Sequence, residues 1–335
     1  MIKRVKTAAK FLLFLGLGFF LLWLTTKSFG KEEIQKVKEG VAEANFTVIV
    51  LCSLILLFSH YLRALRWKMM IIPVGIVPKN SNVFFAVLAG YFFNLLFPRL
   101  GEVMKCSFLS KYEKAPVDKL IGTMVAERLV DFVCLVIVIL LTVFTQLDIV
   151  GDYANELYVL LKTKMQISLT GWMMLIACAS LLLYFVVKLL RGSKNHPSLF
   201  KVKALVKGML EGLTSIKKVH SFGLYFLYTF AIWFCYLVSI RIGFYGMKEL
   251  EHLGWIPSFS ILTFGSFAMI ATQGGIGAYQ LAVQKTLILY SIDQVNGLAF
   301  GWLLWLVQTM ILFIVGPLSV FFLYLFNQKP TSRET

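Results

Sequence analysis

The stretch NLLFPRLGEVMK, residues Asn94 to Lys105, follows an apolar run directly and sets an amide, a proline, an arginine, a glutamate and a lysine beside it. Charged side chains at membrane depth are energetically unfavourable, and those that occur there face a cavity, a partner or a substrate. On a helix starting near Arg99, the side chains of Arg99, Glu102 and Lys105 stand three residues apart and share one face. Their summed charge is positive, which suits an anionic headgroup where water is scarce and attraction is strengthened. Asn94 adds a donor and an acceptor that hydrocarbon leaves unsatisfied, and Pro98 removes a backbone donor and ends or bends the helix. The competing reading is a helix end at the interface, with snorkelling basic side chains and a self-neutralising Glu102.

The rest of the chain has membrane character. Hydrophobic residues make up 59% of 335 positions and the mean hydropathy is +0.79, too apolar for a water-soluble globule. The net charge of +16 comes from basic residues between apolar runs, a topology signal and a contact to anionic lipid, and not from a nucleic-acid-binding domain. Five scattered cysteines and four histidines without i,i+4 spacing indicate no metal or redox site, and no cofactor or catalytic residue is assigned. A hydrocarbon core of about 30 Å needs roughly 20 apolar residues per crossing. Runs at 8–26, 46–61, 83–98, 129–147, 167–190, 222–242, 259–290 and 298–326 fit helices, and the alternating segments of a membrane barrel are absent. All belong to one integral membrane domain, 1–335. The first run follows the basic leader MIKRVK and lacks a small-residue cleavage site, so it reads as a retained signal anchor.

Charge asymmetry orients these runs. The leader and the basic loop 191–219, whose second half has amphipathic character, are placed in the cytoplasm of a plasma-membrane protein. The segment Lys27 to Asn45 mixes both signs and suits an external loop, and the C-terminal tail is placed inside. Basic segments then flank the run 83–98 on both sides, so its two ends prefer the same face. The run 259–290 must likewise begin and end outside, and it is interrupted by TQGGIGA, Thr272 to Ala278. One solution covers both conflicts: an all-α polytopic bundle of about six full transmembrane helices plus two re-entrant or broken helices, entering from opposite sides as in an inverted repeat. Eight simple crossings, with one violation of the charge rule, are the alternative.

Three further motifs carry polar chemistry. AERLVD places Glu127, Arg128 and Asp131 at the entry of the fourth run, where they can pair with Arg99 and Lys105, hold a cation or relay protons; a buried network that fixes helix register uses the same residues. GGIGAYQ offers Gly274, Gly275 and Gly277 as a break whose free N–H groups, with the dipole of the following half-helix and Gln280, suit an anion; close glycine packing of helices is the alternative. RALRWK, Arg63 to Lys68, reads as an interfacial anchor.

Together, RALRW, NLLFPRLGE, AERLVD and GGIGAY resemble the family built on the membrane domain of lysylphosphatidylglycerol synthetase/flippases, over about residues 8–326. Members carry proline before the glycines and glutamate after them, where this chain has Gln273 and Gln280. The resemblance implies movement of an anionic phospholipid or a polyprenyl-phosphate-linked lipid between leaflets by a flippase-like protein. Arg99 and Arg128 would meet the phosphate, Asn94, Glu102, Glu127 and Asp131 would line the same cavity, and no synthetase domain is expected. A membrane transferase using Glu127 and Asp131, or a partner that docks a lipid-modifying enzyme through the basic loop, are the other readings; homo-oligomerisation is left open.

Overall fold

The computed structural model describes residues 20, 23, 27, 29–97, 100–146 and 214–328. The runs expected at 8–26 and 167–190 and the basic loop 191–219 lie outside the described residues, apart from a few positions at their edges, as do Pro98 and Arg99. Among the described residues the structure is helical without a strand. Its helices are α1 Lys31–Ala42, α2 Phe46–Ile71, α3 Asn80–Leu96, α4 Leu100–Glu113, α5 Val117–Thr145, α6 Phe222–Gly243, α7 Trp255–Ala271, α8 Ala278–Ile288 and α9 Gln294–Leu325.

Local chemistry starts several of them. The Gly30 N–H donates to Glu33 Oε2 at 2.8 Å at the head of α1, and Glu32 and Glu33 sit where the positive end of the helix dipole favours them. Asn45 caps α2 by accepting from the Thr47 N–H at 3.0 Å, while Asp293 accepts from the Val295 and Asn296 N–H groups at the start of α9, satisfying amides that have no intrahelical partner. The expected external loop at Lys27 to Asn45 is therefore largely helix α1. Its mixed charges read as loop because they stabilise an exposed helix face, with Val37 the buried contact.

Among the described residues four helices, at Phe46–Val74, Val117–Thr145, Phe222–Gly246 and Gln294–Leu325, are long and apolar enough to cross a membrane. Their outer faces carry large exposed side chains, among them Phe132, Val133 and Phe144 on α5 and Phe226 and Phe230 on α6, a surface that hydrocarbon and not water would cover. Two are longer than the apolar runs predict. Helix α2 continues through RALRWK, and α5 begins twelve residues before Leu129, so AERLVD lies well inside it.

The two shorter apolar helices, α3 and α7, each pair with the helix that follows, forming two antiparallel hairpins. In the first, α3 and α4 pair along their length: the Gly101 N–H donates to Asn94 Oδ1 at 2.8 Å, and Asn82 Nδ2 donates to Glu113 Oε1 at 2.7 Å near the open end. The helices touch through glycine, since a Cβ on Gly101 would run into the Gly90 carbonyl. In the second, Gly265 of α7 lies against the Tyr279 ring of α8, and the Ser260 and Tyr290 hydroxyls meet at 2.8 Å. The turn between α7 and α8 uses Gly274, Gly275 and Gly277 at φ of 59°, 75° and 76°, conformations that side chains with a Cβ rarely adopt.

The hairpins open toward opposite poles. The first opens beside the C-terminal ends of α2 and α9, where Lys68 Nζ donates to Asn80 Oδ1 at 2.6 Å and Asn327 Nδ2 donates to Asn82 Oδ1 at 2.8 Å. The second opens beside the C-terminal end of α5, where Ser260 Oγ donates to Gln146 Oε1 at 2.6 Å and Gln146 Nε2 donates to the Ile256 carbonyl at 3.3 Å. Because α5 runs from one pole to the other, the hairpins point toward each other. Their tips meet: Gln273 Nε2 donates to the Asn94 carbonyl at 2.6 Å and the Leu95 carbonyl at 3.2 Å, two acceptors in the last turn of α3 that the helix itself leaves free.

Candidate functional site

The charged residues that the sequence singles out converge where the first hairpin packs on α2 and α5. On α5, Thr123, Glu127 and Asp131 recur at four-residue spacing and face inward, and on α2 Arg66 and Trp67, three and four residues after Arg63, share its inward face. Glu127 is wholly buried. Its Oε2 accepts from Lys105 Nζ at 2.7 Å, and its Oε1 lies 3.1 Å from Arg63 and 3.5 Å from Arg66. Asp131 meets Arg63 at 2.7 Å and Arg66 at 2.6 Å. Of the expected pairings, that of Lys105 with Glu127 is present. Arg99 lies outside the described residues, and the i,i+3 contact of Arg128 with Asp131 is long, at 3.9 Å.

RALRWK is not an interfacial anchor. Arg66 is fully buried and Arg63 nearly so; with the carboxylates of α5 opposite them, burial becomes tolerable because each charge is paired and hydrogen-bonded. Arg63 also donates to the Tyr236 hydroxyl at 3.2 Å. Trp67 closes the network from below, donating its indole N–H to Thr123 Oγ1 at 3.1 Å and presenting its ring 4.1 Å from Lys105 Nζ, a cation–π contact. The signal for this was in the sequence: two arginines three residues apart in one helix match two carboxylates four apart in another.

Toward the hairpin tip the network becomes accessible. Arg128 Nε lies 2.8 Å from Glu102 Oε1, with the two side chains 40% and 28% exposed. This pair and Lys105 line a narrow crevice with Gly90, Tyr91, Asn94 and Gly101. Among the described residues the network holds four cations, Arg63, Arg66, Lys105 and Arg128, against three carboxylates, Glu102, Glu127 and Asp131. One positive charge is left over, and the outermost cation borders the crevice. The arrangement suits an anion entering beside Arg128. Asn94 has a second duty that the sequence did not suggest, since its side-chain oxygen caps the start of α4 at Gly101.

The glycine motif makes the other tip. Gly274 supplies its carbonyl to Trp305 Nε1 at 2.7 Å, and the Gly275 N–H turns back to the Thr272 carbonyl at 3.3 Å, so part of the expected anion-binding backbone is used in the turn. Gln280 faces α9, with Gly301 packed against its backbone. No group of three His, Cys, Asp or Glu side chains that could hold a metal occurs among the described residues. Cys52, Cys106 and Cys235 are buried, Cys134 is half-buried, and all four are free thiols.

The model of the lysylphosphatidylglycerol synthase transmembrane region matches residues 8–316. The chain belongs to that family. The chain is also similar to a UPF0104 membrane protein of Methanocaldococcus jannaschii, 28% identical over 101 residues, which cover 29% of this chain and 30% of the relative. The chain thus matches under a third of that relative's length. No solved structure matches.

Proposed function

We propose that this protein holds an anionic lipid headgroup in the crevice beside Arg128 and moves it between leaflets, as a flippase-like transporter of a phospholipid or polyprenyl-phosphate-linked lipid. The observation that carries the reading is the surplus positive charge of a buried network, opening at Arg128 and Glu102 into a crevice at the meeting point of two opposed hairpins. Water-poor surroundings strengthen attraction for a phosphate, and a guanidinium suits its oxygens. Asn94, Glu102, Lys105, Arg128 and the described remainder of the network form the headgroup's surroundings. Arg99, next in sequence to the tip, is assigned to the phosphate with them. Glu127 and Asp131 neutralise Arg63, Arg66 and Lys105 and leave one cation over. That arrangement favours binding over a transferase, since a catalytic base or metal-binding pair needs a carboxylate not already held by two cations.

The basic pole, with Lys68, Lys79, Lys111, Lys114 and Lys119, is assigned to the cytoplasm of the plasma membrane. The first hairpin then enters from inside and the second from outside. Alternating access follows from separating the tips on one side or the other of the bound headgroup. Native mass spectrometry of gently extracted protein tests the reading: an anionic lipid should accompany the wild type and be depleted about tenfold in Arg128→Gln, a loss of one strong charged contact. Retention of the same lipid by Arg128→Gln would remove the assignment.

A further inference from the structure

Two ion pairs tie α4 to α5, from Glu102 and Lys105 of a single helical turn, and they are built differently. In the inner pair Lys105 Nζ donates to Glu127 Oε2 at 2.7 Å with both side chains buried, and the Trp67 ring lies 4.1 Å from the ammonium. In the outer pair Arg128 Nε lies 2.8 Å from Glu102 Oε1, yet that Nε has no hydrogen-bond partner. The outer contact is thus charge attraction without an aligned hydrogen bond. Both of its side chains border the crevice, and a partly exposed pair of this kind is held weakly.

The crevice has a volume of about 10 Å³, room for roughly one water molecule. A phosphate group needs more, so one of the lining side chains has to move before such an anion can reach the guanidinium. Most of the lining is fixed. Val87 is fully buried, Gly90 and Gly101 are in close backbone contact, Asn94 accepts from the Gly101 N–H, and Lys105 is held by Glu127 and Trp67. Tyr91 packs against the His60 ring, at 4.6 Å between centroids, and against the Arg63 guanidinium, 5.8 Å from its own ring. Glu102 is tied less firmly: among the described residues Arg128 is its one ion-pair partner, and its side chain lines the crevice itself.

We infer that Glu102 is an exchangeable counter-ion of the headgroup site: its carboxylate occupies Arg128 while the crevice is empty, moves aside for a phosphate oxygen of the anionic lipid, and on returning drives that oxygen off. The inference rests on the headgroup reading above and gives its site a release step. A guanidinium accepts carboxylate and phosphate oxygens alike, and two like charges brought together in water-poor surroundings repel. The charge count agrees, since the network with Glu102 in place keeps one positive charge, which a singly charged headgroup neutralises. Passage through a site requires binding strong enough to load it and weak enough to leave it. Arg128 supplies the first and the returning Glu102 the second.

The full chain in detergent, titrated with phosphatidylglycerol as the anionic probe and read by native mass spectrometry, tests the exchange, with movement of a fluorescent form of the same lipid in liposomes as the second readout. Glu102→Gln keeps the side chain's shape and removes its charge. It should bind the probe about fivefold more tightly than the wild type, the upper end for a partly exposed pair, and move it more slowly because release is delayed. Glu102→Ala should do the same and serves if the glutamine variant does not fold. In an Arg128→Gln background the change at Glu102 should leave affinity unaltered, which separates displacement from Arg128 from a general gain of positive charge; an equal gain there would overturn the displacement. Weaker or unchanged binding by Glu102→Gln, with Arg128→Gln still losing the probe, would overturn the exchange and leave the headgroup reading standing, whereas retention of the probe by Arg128→Gln would remove that reading itself. Tighter binding with undiminished movement would overturn the release step. Inorganic phosphate at the same concentration should not compete with the lipid, and equal competition would overturn the lipid as the source of the anion.

Discussion

The two hairpins solve one backbone problem with different side chains. The first, Asn80–Glu113, carries Arg99, Glu102, Lys105, Lys111 and Glu113, whereas the second, Trp255–Ile288, has a single charged residue, the exposed Lys285 in the last turn of α8. Each is tied to its neighbours, the first through ion pairs to α5 and, at its base, hydrogen bonds with Lys68 and Asn327, the second through Gln146, Ser260, Thr263 and Tyr290. Thr142 Oγ1, for example, lies 2.8 Å from Thr263 Oγ1. The difference is one of kind: the buried charges that can attract an anion over distance stand on the first hairpin, while the second is held by hydrogen bonds between uncharged side chains. It also makes their responses to mutation unequal.

Removing the central carboxylate should do the most damage. Glu127→Ala leaves Lys105 short of its only ion-pair partner among the described residues and Arg63 and Arg66 with Asp131 alone. Stability should fall by about 3–5 kcal/mol, the range for breaking a buried pair, read as a collapse of thermal unfolding temperature in detergent. A comparably well-folded Glu127→Ala would mean that the network is wet and the contrast between hairpins overdrawn. Next, Gly101→Val should prevent α3 and α4 from closing, since its Cβ meets the Gly90 carbonyl, and cost about 1–3 kcal/mol or more by overpacking. The matching substitution Gly265→Val, facing the Tyr279 ring, should cost less, because a ring can shift where a backbone carbonyl cannot. Equal losses for the two would erase that distinction. A smaller effect is expected at the junction: Gln273→Ala removes two hydrogen bonds at roughly 1 kcal/mol each. Its clearer sign should be faster labelling of Leu95→Cys by a membrane-impermeant thiol reagent, and unchanged labelling would show that the tips are held by packing alone.

Much of this arrangement is legible in the chain. The conflict between charge rule and apolar length exposes both hairpins, and the glycine run marks the turn of the second. Lys105 and Glu127 are found because they stand beside apolar runs in motifs of mixed polarity, where basic and acidic side chains can pair across helices. Arg63 and Arg66 escape the same logic for a physical reason: they sit just past the end of an apolar run, where snorkelling to an interface is the ordinary outcome, and only the carboxylates of α5 make burial the better one. Helix α1 is hidden because alternating Lys and Glu stabilise an exposed helix and also solvate a loop. That Asn94 caps α4, or that Gln280 is buried without a partner, depends on which helices lie opposite, and periodicity within one segment does not carry that information.

Arg128→Gln gives the smallest stability change, within roughly 1 kcal/mol, because its pair with Glu102 is partly exposed, and it therefore isolates function from folding. Liposomes reconstituted with the protein and a fluorescent anionic phospholipid, with outer-leaflet quenching to report movement, measure the central claim directly. The wild type should translocate the lipid above protein-free vesicles, and Arg128→Gln, equally folded, should reduce the rate about tenfold, one strong contact's worth. Wild-type protein that moves no lipid, or an Arg128→Gln variant that moves it as fast, would contradict the account.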